Sequence, residues 1–172
     1  MSRLILIGMA LTLAGCGSEP QVKGIDDMKD DLISNYQVND VSINDDKHLM
    51  ITMTLPEDDN LERAANVGFS RMSDMLNYVL VSYPTLDADA KQIYVTFNAN
   101  LLDSYNNPST APVYDTFYDV PELKKLKVNS SSTFYDYLRH ANISVRQPVG
   151  HDIIEAWCKS DNNTQEFENI CS

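Results

Sequence analysis

From Leu61 to Tyr83 the sequence carries one continuous apolar stripe: Leu61, Ala64, Ala65, Gly68, Phe69, Met72, Met75, Leu76, Val79, Leu80 and Tyr83. Spacings of three and four residues are the period of an α-helix with one buried face. Asp59 followed by Glu62 reads as a capping-box-like start. Pro84 stops the run, because proline has no N–H for the next turn. At roughly 1.5 Å per residue such a helix is about 35 Å long. It can bury its stripe only against a layer of comparable length, which the rest of the chain must supply. The opposite face, Asn66, Ser70, Ser73, Asn77 and Ser82, is polar yet nearly uncharged.

Strands on either side of this helix are expected to supply the layer. Between Val38 and Leu55, Val41 and Ile43 alternate with polar residues, and Leu49, Ile51, Met53 and Leu55 alternate with Met50, Thr52 and Thr54. Asn44-Asp45-Asp46-Lys47 between the two runs is turn chemistry, so the segment reads as a β-hairpin. Lys91 to Leu101 reads as a further strand with Ile93, Val95 and Phe97 on one face. A hairpin, a long helix and a strand make a small α+β unit, the helix lying across an antiparallel or mixed sheet. Ile25 to Tyr36 has helical spacing at Ile25, Met28, Leu32 and Ile33, with early aspartates that suit a helix N-terminus. Short helices are expected at Pro121–Leu126, at Thr133–Ala141 with Thr133 and Asp136 as cap, and at Asp152–Lys159 with Asp152 as cap. The C-terminal part is therefore helical.

The N-terminus has a different character. Arg3 precedes a ten-residue apolar run, Leu4 to Leu13. A membrane-spanning helix needs roughly 20 such residues, whereas a signal-peptide core is this short. The run ends in Leu13-Ala14-Gly15-Cys16, which resembles the lipobox of bacterial lipoproteins. The resemblance covers residues 1–16 alone. It implies diacylglycerol on the Cys16 thiol, cleavage before Cys16 and acylation of the new amine. Two or more acyl chains give stable anchoring where one is marginal. Residue 17 is Gly rather than Asp, and in many Gram-negative lipoproteins Asp there retains the protein in the inner membrane. The resemblance thus implies an outer-membrane lipoprotein facing the periplasm, with 1–15 as signal peptide, 16–24 as lipidated cysteine and tether, and 25–172 as one domain.

Removing the first 15 of 172 residues takes away Arg3, so the formal charge moves from −12 to −13. Nucleic-acid binding needs clustered Lys and Arg and is not expected. Anionic headgroups would repel the surface, which leaves the lipid on Cys16 as the membrane contact. With Cys16 assigned to lipid, Cys158 and Cys171 remain, and an even pair in an oxidising compartment is read as a disulfide. It would pin the polar tail, Lys159 to Asn169, onto the final helix.

No catalytic motif stands out. His48, His140 and His151 are far apart in sequence, and none belongs to a His-x-x-x-His pattern. His151-Asp152 with Glu155 places two ligand types one helical turn apart, but such pairs are common on solvated surfaces. The acidic clusters Asp26-Asp27/Asp30-Asp31, Asp45-Asp46, Glu57-Asp58-Asp59 and Asp87/Asp89 do not match the twelve-residue calcium loop. Nucleophile elbows and phosphate loops are absent, and 6 Gly in the chain leave little for nucleotide cradles. Neither a metal, a cofactor nor a catalytic residue is expected.

Asp103 to Pro121 is rich in Asn, Pro, Tyr and Asp and reads as a long loop, with room for a short strand or helix near Val113–Tyr118. It carries Tyr105, Tyr114, Phe117 and Tyr118. These rings form either a binding patch, since tyrosine gives contact area at low entropic cost, or a flap that completes the core. The sequence leaves both open. The expected function is a non-catalytic accessory lipoprotein that binds an envelope protein partner. The alternative is a small-ligand or cell-wall binding lipoprotein whose groove lies beside the long helix, with the Tyr105–Tyr118 loop as its mouth.

Overall fold

The structure, a computed structural model, describes residues 24–102, 105–126, 133–160 and 163–171. The lipobox, Cys16 and the tether up to residue 23 lie outside the described residues. The fold is α+β. Helix α1 (Ile25–Tyr36) leads into the hairpin β1 (Val38–Ile43) and β2 (His48–Thr54), turning at Asn44–Lys47 as the sequence predicts. Asn44 Oδ1 accepts from the N–H of Asp46 and of His48, closing that turn with a side chain.

Helix α2 (Leu61–Ser82) follows. Its N-cap is Asn60, whose Oδ1 accepts from Arg63 N–H at 3.0 Å, rather than Asp59. Asp58 explains the shift: its carboxylate takes the Asn60 N–H at 2.8 Å and so fixes the residue that caps. A one-turn helix, α3 (Leu86–Asp89), leads to β3 (Gln92–Leu102), which lies parallel to β2. Then β4 (Pro108–Asp119), α4 (Val120–Leu123), α5 (Phe134–Leu138), β5 (Asn142–Val145), α6 (Pro148–Cys158), α7 (Asn163–Glu166) and α8 (Glu168–Cys171) complete the chain. The sheet order is β1-β2-β3-β4-β5, mixed because of the one parallel pair.

The apolar stripe of α2 lies on one face of this sheet. Phe69 meets Phe97 edge-on at 6.2 Å, and Met72 Sδ accepts from Thr116 and Tyr118 hydroxyls at 3.2 and 3.4 Å. Gly68 allows the close approach: a Cβ there would stand 2.6 Å from Leu55 Cδ2. Part of the polar face of α2 lies under the C-terminal half, while Ser70 stays exposed. Trp157 of α6 donates its indole N–H to Asn66 Oδ1 at 2.9 Å, Ser160 donates to Glu62 at 2.7 Å, and Ser73 is buried. A charge at Asn66 or at Ser73 would have to be desolvated.

Two expectations change in the C-terminal half. The last helix starts at Pro148, not Asp152: Gln147 is its N-cap and Pro148 occupies the first turn, where a missing N–H costs nothing. Asp152 and His151 are therefore inside the helix. The tail after Lys159 is not merely pinned, since Phe167 is fully buried against Trp157, with ring centroids 5.3 Å apart. Cys158 and Cys171 form the expected disulfide, with Cα atoms 5.6 Å apart. Thr133 and Asp136 form the expected capping box of α5.

A groove under the β3–β4 arm

The segment expected as a long loop is a strand. β4 pairs with β3 over almost its whole length, from Leu102 opposite Pro108 to Gln92 opposite Asp119. The prolines that argued for a loop sit where a strand tolerates them. Pro108 opens β4, and Pro112 flanks a β-bulge. Phe97 faces Tyr114 and Asn98 faces Pro112, so Val113 is the extra residue. The Val113 carbonyl takes N–H groups of Arg146 and Gln147, and Gly150 packs against it. The bulge thereby docks the start of α6.

The four aromatic residues do not form one patch. Tyr114 and Tyr118 point into the core, stacked on Phe97 and bonded to Met72 respectively, and burial raises both hydroxyl pKa values well above the ordinary 10. Phe117 is half-buried on the other sheet face, stacked on Tyr94 with centroids 5.5 Å apart, as cross-strand neighbours do. Tyr105 alone is exposed, at 84%. Alternation along a strand separates the rings, which a loop reading could not anticipate.

What the arrangement builds instead lies at the N-terminal end of α2. β2 pairs with β3 as far as Thr54 opposite Asn98, and Leu55 N–H closes the pairing on the Asn98 carbonyl at 2.8 Å. There the chain leaves the sheet through Pro56. β3 runs on through Ala99–Leu102 with β4 on its other side, forming a two-stranded arm. Among the described residues no strand pairs with the β2-side edge of that stretch.

Between the arm and the helices is a groove of about 660 Å³. Leu61 and Ala64 of α2, Val149 and Ile153 of α6, and Leu55 supply apolar walls, while Ala99–Leu102 and Pro108–Thr110 form the arm side. Leu102, at the arm's end, is 68% exposed. Glu57, Asp58 and Asp59 form the rim and line a further recess with Arg63. The rim is cross-tied to the arm: Asn100 Nδ2 donates to Glu57 Oε1 at 2.7 Å, and Thr110 donates to Asn100 Oδ1 at 2.8 Å. Arg63 binds Asp58 through two nitrogens, which together with the Asn60 N–H holds the Asp58 carboxyl below its ordinary pKa.

The other sequence candidates sit apart from the groove. His48 stacks on Tyr94 at the far end of the sheet, and Glu155 pairs with Lys159, which lowers its carboxyl pKa. Among the described residues no group of three His, Cys, Asp or Glu is placed to hold a metal ion. No described helix is long and apolar enough to cross a membrane. The alternative expectation puts a groove beside the long helix with the Tyr105–Tyr118 segment at its mouth; of that segment Pro108, Ser109 and Thr110 line this groove, and none of the four aromatic residues does. The signals for it in the sequence are the acidic cluster Glu57-Asp58-Asp59, which forms the rim, and Leu101-Leu102, apolar residues where β3 ends.

Fold and site together define an α+β domain with an overhanging β-arm above an acid-rimmed groove. No family model matches the chain, and neither does any curated protein or solved structure.

Proposed function

We propose that the chain is a non-catalytic accessory lipoprotein of the bacterial envelope, anchored to the outer membrane through Cys16, which binds an envelope protein partner in the groove under the arm. The observation that carries this reading is the arm itself. It ends at Leu102, 68% exposed and lining an apolar groove, with Tyr105, 84% exposed, three residues further along the chain. Large apolar groups gathered at a concave, polar-rimmed surface are characteristic of protein interaction sites.

The direction in which α1 lies along α2 supports the same reading. Asp31 of α1 accepts from the hydroxyls of Tyr78 and Tyr83, whereas Asn35–Gln37 lie beside Arg71 and Asp74. Contacts therefore move down α2 as they move up α1, and Gly24 lies toward the Tyr83 end. The groove is at the Leu61 end, about 33 Å away along a 22-residue helix. A lipid on Cys16, followed by a tether of eight residues reaching at most about 28 Å, would attach the domain at the end of α2 opposite the groove.

A second reading, a small-ligand or cell-wall binding lipoprotein, draws support from the groove's volume of about 660 Å³, which lies inside the roughly 300–1,000 Å³ of small-molecule sites. The test is site-specific photo-crosslinking in cells from position 105, with position 81 (Val81, 68% exposed on α2) as control. A discrete protein adduct from 105 alone supports the partner reading. Equal or no adducts from the two positions count against it.

A further inference from the structure

The groove has a feature that a small ligand does not need. One of its walls is Ala99–Leu102 of β3, whose β2-side edge no strand among the described residues pairs with once β2 departs at Pro56, the flanking contact being that of the Glu57 side chain with Asn100. Backbone N–H and C=O groups along such an edge are matched in spacing and direction by another extended backbone. The adjoining side walls, Leu61, Ala64, Val149 and Ile153, are apolar. The rim carries Glu57 and Asp59, both exposed, and its cation Arg63 is already tied to Asp58.

We infer that the groove captures an extended segment of the partner, added as a strand to the β3 edge, with alternate apolar side chains in the cleft and a Lys or Arg at the Glu57–Asp59 rim. The inference rests on the partner-binding reading and specifies its chemistry. Strand addition draws affinity from main-chain hydrogen bonds and specificity from pockets for every second side chain. Charge at the rim selects against acidic segments. A second copy of this chain is a poor occupant, because pairing arm to arm would bring two acidic rims together in a chain of net charge −12.

The experiment uses the full chain, carried in lipid nanodiscs, to select from a phage-displayed library of random decapeptides. Selected sequences are expected to alternate apolar residues and to include Lys or Arg. A Glu57→Lys/Asp59→Lys chain is expected to select Asp or Glu instead. The most enriched peptide is then synthesised with a single N-methyl group at each amide in turn, and binding is read by fluorescence anisotropy. Alternate amides should weaken binding about tenfold, the scale of one lost hydrogen bond, and the interleaved ones little. Uniform tolerance of N-methylation, indifference to rim charge, self-association through the arm, or no selected peptide at all would each overturn the inference. In any of these cases a discrete adduct from position 105 would still leave the partner-binding reading standing.

Discussion

Trp157 and Asn66 are joined by one hydrogen bond, indole N–H to amide oxygen at 2.9 Å, between residues 91 positions apart. The bond joins α6 to the polar side of α2, and these two helices wall the groove through Leu61, Ala64, Val149 and Ile153. Asn66→Ala leaves a fully buried indole N–H without its acceptor. A loss of about 1–3 kcal/mol is expected, seen as a lower urea midpoint at unchanged m-value. An unchanged midpoint would show that α6 is held by apolar packing alone.

Gly150 and Gly68 both allow close approach, with unequal consequences. A Cβ on Gly150 would stand 2.1 Å from the backbone oxygen of Val113, which cannot yield without moving β4 or α6. A Cβ on Gly68 meets Leu55 Cδ2 at 2.6 Å, the end of a side chain that can rotate. Gly150→Ala is expected to cost about 3 kcal/mol or more, and Gly68→Ala about 1–2 kcal/mol. Thermal melts of the two variants give the comparison, and the reverse order would show that the bulge at Val113 is soft.

The Cys158–Cys171 bridge closes a segment of separation 13 that buries Phe167 and Ile170. Reduction is expected to lower stability by about 3 kcal/mol in the chain-entropy model. Amide hydrogen exchange in reductant should show faster exchange in α7 and α8 first. Uniform loss of protection would instead make the tail part of the global unfolding unit.

Asp58 has a pKa below its ordinary value because Arg63 and the Asn60 N–H bind its charged form. A depressed carboxyl contributes stability above its unfolded pKa, near 4, and loses that contribution as pH falls through the folded value. Asp58→Asn should therefore be less stable than the parent at pH 7 and equal to it near pH 2. A difference that persists at pH 2 would assign the effect to packing rather than charge. At the alkaline end Tyr137, pushed up to about 12 mainly by burial, has the opposite sign. Its raised pKa favours the fold below pH 10, and that contribution fades as pH rises beyond it.

The parts of the fold legible in sequence are those where one periodicity acts alone. The α2 stripe, the alternation at Leu49–Leu55 and Ile93–Phe97, the Thr133–Asp136 box and the cysteine pair all lie where the sequence places them. β4 was illegible because its buried run, Val113 to Thr116, crosses a bulge, so the alternation breaks where it would be counted. Asp115 hides the pattern further. It is buried only because Arg146 and Thr96 bind its carboxylate, a tertiary fact. β5 is four residues long, too short for a period to register. The groove needed the departure of β2 at Pro56 and the continuation of β3 past it, which no local pattern carries.

The central claim is that the arm and its groove hold a protein partner. The most direct measurement is the yield of photo-crosslinked adduct from position 105 in cells, compared between the parent chain and Leu102→Asp. Leu102 is exposed, so the substitution leaves the core intact while placing a charge at the groove's mouth. The account predicts a discrete adduct in the parent and its loss in Leu102→Asp at equal protein level. Equal adduct in both chains would contradict it.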